Sequence, residues 1–147
     1  MPPAVGVVEE IIHASGFTLH DSRVAVVGLG FLVGKPISEW LRDKTKELYL
    51  LDKGDDFSVL KNADLVITGV GQAGIIKPEM LKDGAGVVDF GYSIDTAGKI
   101  HGDFDTQLPV TNYQLLRFYT KTPGGTGPIL VAKLFENFYS LCLHQKS

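Results

Sequence analysis

Gly28, Gly30 and Gly34 stand within Arg23 to Pro36, RVAVVGLGFLVGKP, with the spacing G-x-G-x-x-x-G. Before them Val24-Ala25-Val26-Val27 is an unbroken apolar run, the pattern of a strand buried on both faces. After them Ile37 to Arg42 has helical periodicity. A strand, a glycine turn and a helix N-terminus in that order present backbone N–H groups and the positive end of a helix dipole, an arrangement that suits a pyrophosphate. The same pattern also serves as a tight strand-to-helix turn with no ligand. The turn residues Gly28, Leu29, Gly30, Phe31, Leu32 and Val33 are therefore candidates for contacting a dinucleotide.

Asp52 closes the apolar run Leu48 to Leu51, 24 residues beyond Gly28. That is close to the interval of roughly 20 at which an acid accepts hydrogen bonds from an adenosine ribose diol. A 2′-phosphate at this position would set like charges together, so NAD is expected over NADP; the ammonium of Lys53 is the counterweight that keeps NADP possible. Gly69-Val70-Gly71-Gln72 follows another apolar run, and its small residues let a backbone approach a ligand closely. Pro123-Gly124-Gly125-Thr126-Gly127-Pro128 is a second glycine loop, costly unless its backbone angles are needed. The nicotinamide end of a dinucleotide is expected toward Gly71, Tyr92 and Thr126, because the segments carrying them follow strands and so fall on one edge of a parallel sheet.

These segments need a scaffold, and the hydrophobic periodicity supplies one. Ala4, Val7, Val8, Ile11 and Ile12 form the apolar stripe of a helix opened by Pro2-Pro3 and ended by Gly16. Strands are expected at Val24–Val27, Leu48–Leu51, Asp64–Thr68 and Gly86–Gly91, with a weaker one over Lys99–Phe104 as the arm of a hairpin turning at Gly98. Short helical segments are expected at Phe57–Asn62 and Pro78–Leu81, and a longer helix at Ile129–Leu143. Alternation of strands and helices at this spacing predicts an α/β fold: a Rossmann-like doubly wound parallel sheet flanked by helices, in one domain over residues 1–147.

Composition narrows the function. A net charge of −3 without a basic cluster argues against a nucleic-acid partner. Cys142 is the one cysteine, which rules out an intrachain disulfide and a cysteine metal cluster and fits a reducing compartment. His13 and His20 read as solvated, and no metal site is expected. No apolar run is long enough to span a membrane, and residues 1–20 lack a charged segment followed by an apolar one, so a cytoplasmic location without membrane attachment is expected.

Taken together, the motifs resemble the C-terminal, NAD(P)-binding domain of the bifunctional methylenetetrahydrofolate dehydrogenase/methenyltetrahydrofolate cyclohydrolase family. Val26 to Pro36 resembles V-V-G-R-S/G-x-x-V-G-x-P; Ala63 to Ile67 with Gly71 resembles A-D-I-L-V…G. Val87 to Gly91 resembles V-I-D-V-G, Gly102 to Asp105 resembles G-D-V-D, and Pro123 to Pro128 resembles P-G-G-V-G-P. Leu29 departs from an Arg, Ser93 from an Asn, Lys121 from a Pro, and Ile129-Leu130 from Met-Thr. Leu29 cannot pair with a 2′-phosphate as that Arg could, which again favours NAD.

The resemblance implies oxidoreductase and hydrolase chemistry in one-carbon metabolism, with hydride passing between the methylene carbon of tetrahydrofolate and the nicotinamide. It also implies that the folate-site tyrosine and lysine belong to another domain, which is absent from this chain. No residue here is expected to be catalytic, the isolated chain is expected to be inactive, and folate is expected as a partner only when that domain is supplied. A homodimer is among the assemblies such a domain could form. Two other readings stay open: a stand-alone dinucleotide sensor or trans-complementing subunit, and the cofactor domain of another small-molecule dehydrogenase.

Overall fold

The computed structural model describes residues 1–106, 116–122 and 125–126. The elements in chain order are α1 (Pro3–Ser15), β1 (Arg23–Val27), α2 (Gly34–Leu41), β2 (Glu47–Leu51), β3 (Leu65–Thr68), β4 (Gly86–Asp89), β5 (Ser93–Ile94), β6 (Ile100–His101) and β7 (Phe118–Tyr119). Phe57–Asn62 and Pro78–Met80 are 3-10 turns. The main sheet runs β2-β1-β3-β4-β7 with every pairing parallel. β5 and β6 form the antiparallel hairpin expected around Gly98, shorter than the sequence suggests.

Side-chain alternation sorts the strands into two cores. Val24, Val26, Leu65, Ile67 and Val88 face the side covered by α1 and α2, where Ala4, Val5, Val8, Ile37 and Leu41 meet them. Ala25, Val27, Val66 and Val87 face the other side, against Leu60, Ile76, Leu81 and Phe104. That second layer is built from 3-10 turns and loops among the described residues, where the sequence suggests helical segments. Two-faced burial explains why β1, β3 and β4 read as apolar runs.

α1 ends as expected. Gly16 takes the left-handed conformation (φ 69°), and Phe17 N–H returns to the Ile12 carbonyl at 3.1 Å. α2 begins at Gly34, three residues before its periodicity becomes visible at Ile37, because the glycine and Pro36 carry no helical signal of their own. Asp64 ties the entry of the sheet: its Oδ2 accepts from Arg23 N–H at 2.8 Å, its own N–H donates to the Arg23 carbonyl at 2.7 Å, and it pairs with Lys82.

β7 is the element the sequence reading missed. It is two residues long with Arg117 before it, so it shows no period, and its place is set by Phe118 packing against the bare Gly86 of β4. Among the described residues no helix is long and apolar enough to cross a membrane. The expected helix at Ile129–Leu143, Cys142, and Pro123, Gly124, Gly127 and Pro128 of the second glycine loop lie outside the described residues.

Candidate functional site

Parallel strands bring their C-terminal ends to one edge, and this edge collects the residues singled out above. β1 ends in Gly28, whose N–H donates to the Leu51 carbonyl of β2 at 2.8 Å. Gly28 has a φ of +89°, and a Cβ there would lie 2.9 Å from the Gly69 carbonyl, so both backbone angle and space require glycine. The turn closes where Lys35 N–H donates to the Gly30 carbonyl at 2.9 Å, and the buried Ser38 Oγ donates to the Gly34 carbonyl at 2.6 Å. A Cβ on Gly34 would collide with the Gly28 carbonyl oxygen, so the helix start rests directly on the turn.

Val33, the N-cap residue of α2, offers no side-chain cap. The N–H groups of Leu29 to Val33 donate to no acceptor among the described residues. A helix N-terminus that leaves its donors and its dipole uncompensated is suited to an anion. Gly30 differs from its neighbours: a Cβ there meets nothing within 4 Å, so the fold itself does not demand the glycine.

The side chains of the turn divide. Leu29 and Val33 are half-buried and pack on the α1–α2 core, and the Val33 side chain also lies against Gly69 at the end of β3. Phe31 and Leu32 are 80% and 78% exposed. Asp52 and Lys53 are exposed just past β2; Asp52 N–H donates to Asp55 Oδ2 at 2.7 Å, and Lys53 N–H to Asp52 Oδ1 at 3.0 Å. Asp56 caps the following 3-10 turn through Ser58 N–H at 2.9 Å. Tyr92 is exposed beyond β4. Thr126 is buried, and its hydroxyl donates to the Asp89 carbonyl at 2.8 Å, which ties this residue to the end of β4.

Gly71 departs from expectation. The sequence suggests that the Gly69–Gln72 backbone is open to a ligand, but the Val70, Gly71 and Gln72 N–H groups are turned inward onto Asp103. That carboxylate, fully buried, accepts from Thr68 Oγ1 and Val70 N–H through Oδ2, each at 2.7 Å, and from Gly71 and Gln72 N–H through Oδ1 at 2.9 and 3.0 Å. Asp89 is buried beside it and accepts from Gly91 N–H at 2.7 Å and Asp103 N–H at 3.2 Å through Oδ1, and from Phe104 N–H at 2.9 Å through Oδ2. The two acids interlock with two glycines. A Cβ on Gly91 would strike the Asp103 carboxylate, and one on Gly102 would strike that of Asp89.

Sequence reasoning took neither acid as a site residue. The signal was available: Asp89-x-Gly91 and Gly102-Asp103 each place an acid beside a glycine at the edge of an apolar run. A cavity of about 320 Å³ lined by Lys77, Asp89, His101, Thr120 and Thr122 lies on the hairpin side of this pair and includes no residue of the glycine turn.

Burial pushes the Asp89 carboxyl up to about 6, and the neighbouring Asp103 carboxylate pushes the same way, against the Phe104 and Gly91 N–H groups. The folded state therefore binds this proton more tightly than the unfolded chain. The contribution of Asp89 to stability is fully present below about pH 4 and is lost as pH rises through about 6, an effect of roughly 3 kcal/mol. Asp64 runs the other way: burial pushes it up, but the Arg23 N–H and Lys82 outweigh burial and hold it below its ordinary value, so its contribution is lost in acid. The melting temperature of the wild type relative to Asp89→Ser is expected to fall between pH 4 and 6 and level off above; a flat difference would count against this assignment.

Residues 2–146 match the family described as tetrahydrofolate dehydrogenase/cyclohydrolase, NAD(P)-binding domain. The chain is 33% identical over 130 residues to the bifunctional protein FolD of Mycoplasma genitalium, covering 87% of this chain and 46% of that protein. With FolD of Staphylococcus aureus it shares 30% identity over 135 residues, 90% of this chain and 46% of that one. The chain thus spans about half the length of the curated relatives it matches.

Among solved structures, FolD from Campylobacter jejuni superposes with a TM-score of 0.84 at 29% identity, over 93% of this chain and 48% of that one. The Trypanosoma brucei methylenetetrahydrofolate dehydrogenase-cyclohydrolase, solved with NADP and an inhibitor, gives 0.83 at 26%, over 93% and 48%. The glycine turn, the parallel edge and these similarities agree. This chain belongs to the tetrahydrofolate dehydrogenase/cyclohydrolase family and is its NAD(P)-binding domain.

Proposed function

We propose that the domain binds a nicotinamide dinucleotide along the C-terminal edge of its sheet, with NAD preferred to NADP. The pyrophosphate would lie over Gly28 to Val33, the adenosine ribose on Asp52, and the nicotinamide toward Gly71, Tyr92 and Thr126. The observation that carries this reading is the row of N–H groups from Leu29 to Val33 at the uncapped start of α2, beside open space at Gly30. Bound there, the dinucleotide supplies hydride chemistry, and this domain supplies binding and orientation. Reaction with a methylenetetrahydrofolate requires the folate-site domain that relatives of full length carry, so we assign this chain the cofactor half of that activity.

The preference for NAD rests on charge. Asp52, Asp55 and Asp56 crowd the end of β2 with Lys53 as the local cation, and a 2′-phosphate would meet more negative charge than positive. Leu29, half-buried against the core, offers no cation either. One unfavourable contact of about 1.4 kcal/mol corresponds to about tenfold in affinity.

Calorimetric titration of NAD and NADP at one ionic strength tests both parts. NAD is expected to bind at least about tenfold more tightly, and Gly30→Val to weaken both by at least about tenfold while leaving the melting temperature unchanged. Failure of both nucleotides to bind at millimolar concentration, or equal binding by the variant, would overturn the site. Equal or tighter binding of NADP would overturn the preference.

A further inference from the structure

The segment Val70-Gly71-Gln72 is a nest. Three successive N–H groups converge on one anion, with Gly71 at φ +82° supplying the left-handed residue. Such concavities hold ligand anions in many proteins, but here the anion is the chain's own Asp103 carboxylate. Because a trans peptide is planar, with N–H and C=O on opposite sides, turning the Gly71 and Gln72 N–H groups toward Asp103 turns the Val70 and Gly71 carbonyls away from it. Neither carbonyl accepts a hydrogen bond among the described residues, and Gly71 is exposed. The Gly69 carbonyl lies against Gly28, so this segment is also braced on the phosphate turn.

We propose that Asp103 is a positioning residue that holds the Val70 and Gly71 carbonyls outward as acceptors for a carboxamide, namely the carboxamide N–H groups of a bound nicotinamide. The proposal rests on the dinucleotide reading above and deepens it. Two carbonyl acceptors without a hydrogen bond among the described residues suit an –NH₂ group, which carries two donors and is the one such group at that end of the cofactor. Acting through the backbone, Asp103 touches no ligand. Gly91 contributes by leaving room for the Asp103 carboxylate.

An asparagine at position 103 keeps the volume but offers one acceptor oxygen and one –NH₂, which would face either the Val70 N–H and Thr68 hydroxyl or the Gly71 and Gln72 N–H groups. The nest then loses one of its three hydrogen bonds in the first orientation and two in the second, and it is the second that leaves the carbonyls without a fixed direction.

The test measures three dissociation constants for wild type, Asp103→Asn and Thr68→Val, at a temperature where circular dichroism shows each folded. The ligands are NAD, 3-acetylpyridine adenine dinucleotide and ADP-ribose. The second replaces the carboxamide with a methyl ketone and so lacks its N–H donors; the third lacks the nicotinamide. Wild type is expected to bind NAD about tenfold more tightly than the acetylpyridine analogue. Asp103→Asn is expected to lose most of that discrimination while binding ADP-ribose within about twofold of wild type. Thr68→Val, which removes the one partner of the Asp103 carboxylate outside the nest among the described residues, is expected to retain the discrimination.

Three results would overturn the proposal: no discrimination by the wild type, unchanged discrimination in Asp103→Asn, or an equal loss of all three ligands in that variant. Failure of wild type to bind even ADP-ribose would instead remove the dinucleotide reading on which the proposal stands.

Discussion

Gly34→Ala is expected to destabilise the domain by about 4 kcal/mol and to abolish dinucleotide binding at any concentration where the wild type is half saturated. The added methyl would overlap the Gly28 carbonyl oxygen and approach the Leu29 Cα at 2.9 Å, and both are backbone atoms with no rotamer to yield. Relief requires α2 to shift away from the turn, which breaks the packing of Ile37 and Leu41 in the core. Overpacking commonly costs 1–3 kcal/mol, and backbone-on-backbone conflict belongs at the upper end or beyond. For a domain of this size each kcal/mol moves the melting temperature by about 3 °C, so a fall of roughly 12 °C is expected by calorimetry or circular dichroism. A loss under about 3 °C would mean that the turn adapts and that the glycine is not required by packing.

Gly102→Ala is the second large effect, with about 4 kcal/mol expected. Its methyl would overlap the Asp89 carboxylate and lie 2.7 Å from Thr122 Oγ1. Moving Asp89 strands the N–H groups of Gly91, Asp103 and Phe104 in a buried site, and each unpaired group costs about 1–3 kcal/mol. Gly98→Ala makes the contrast: the hairpin glycine has φ +82° but nothing within 4 Å, so only the left-handed backbone cost of roughly 1–2 kcal/mol applies. Coupling gives a sharper check. In an Asp89→Ala background the Gly102→Ala change should cost less than in the wild type, because the carboxylate it strikes is gone and only the Thr122 contact remains. Additive losses would show that Gly102 matters for some reason other than making room for Asp89.

Much of the molecule was legible in the order of its residues. The apolar runs at Val24–Val27, Leu65–Ile67 and Val87–Val88 specify two-faced strands because burial on both sides leaves no polar period to confuse them. The glycine turn at 28–34 and the acid at Asp52 were legible because their meaning is local: a backbone angle, a close approach and a charge at a strand end. α1 was legible through its stripe and its terminal glycine. The resemblance to a cofactor-binding family followed from these local features in sequence order.

What the tertiary structure decided is what depends on pairs distant in sequence. β7 has no pattern of its own and becomes a strand by lying beside β4. Leu29, which stands where the family pattern carries an arginine, proves to be half-buried and packed against the core that α1 and α2 cover. The Gly69–Gln72 turn looks open to a ligand in sequence, and only the arrival of Asp103, more than thirty residues later, fills its nest and turns its N–H groups inward. In sequence Asp89 and Asp103 merely fall within expected strands; their burial and their reciprocal fit with Gly102 and Gly91 exist only once the hairpin folds back on β4. Local geometry is encoded within a few residues of each position, whereas the partners of a buried charge are set by which distant segments the chain brings against it.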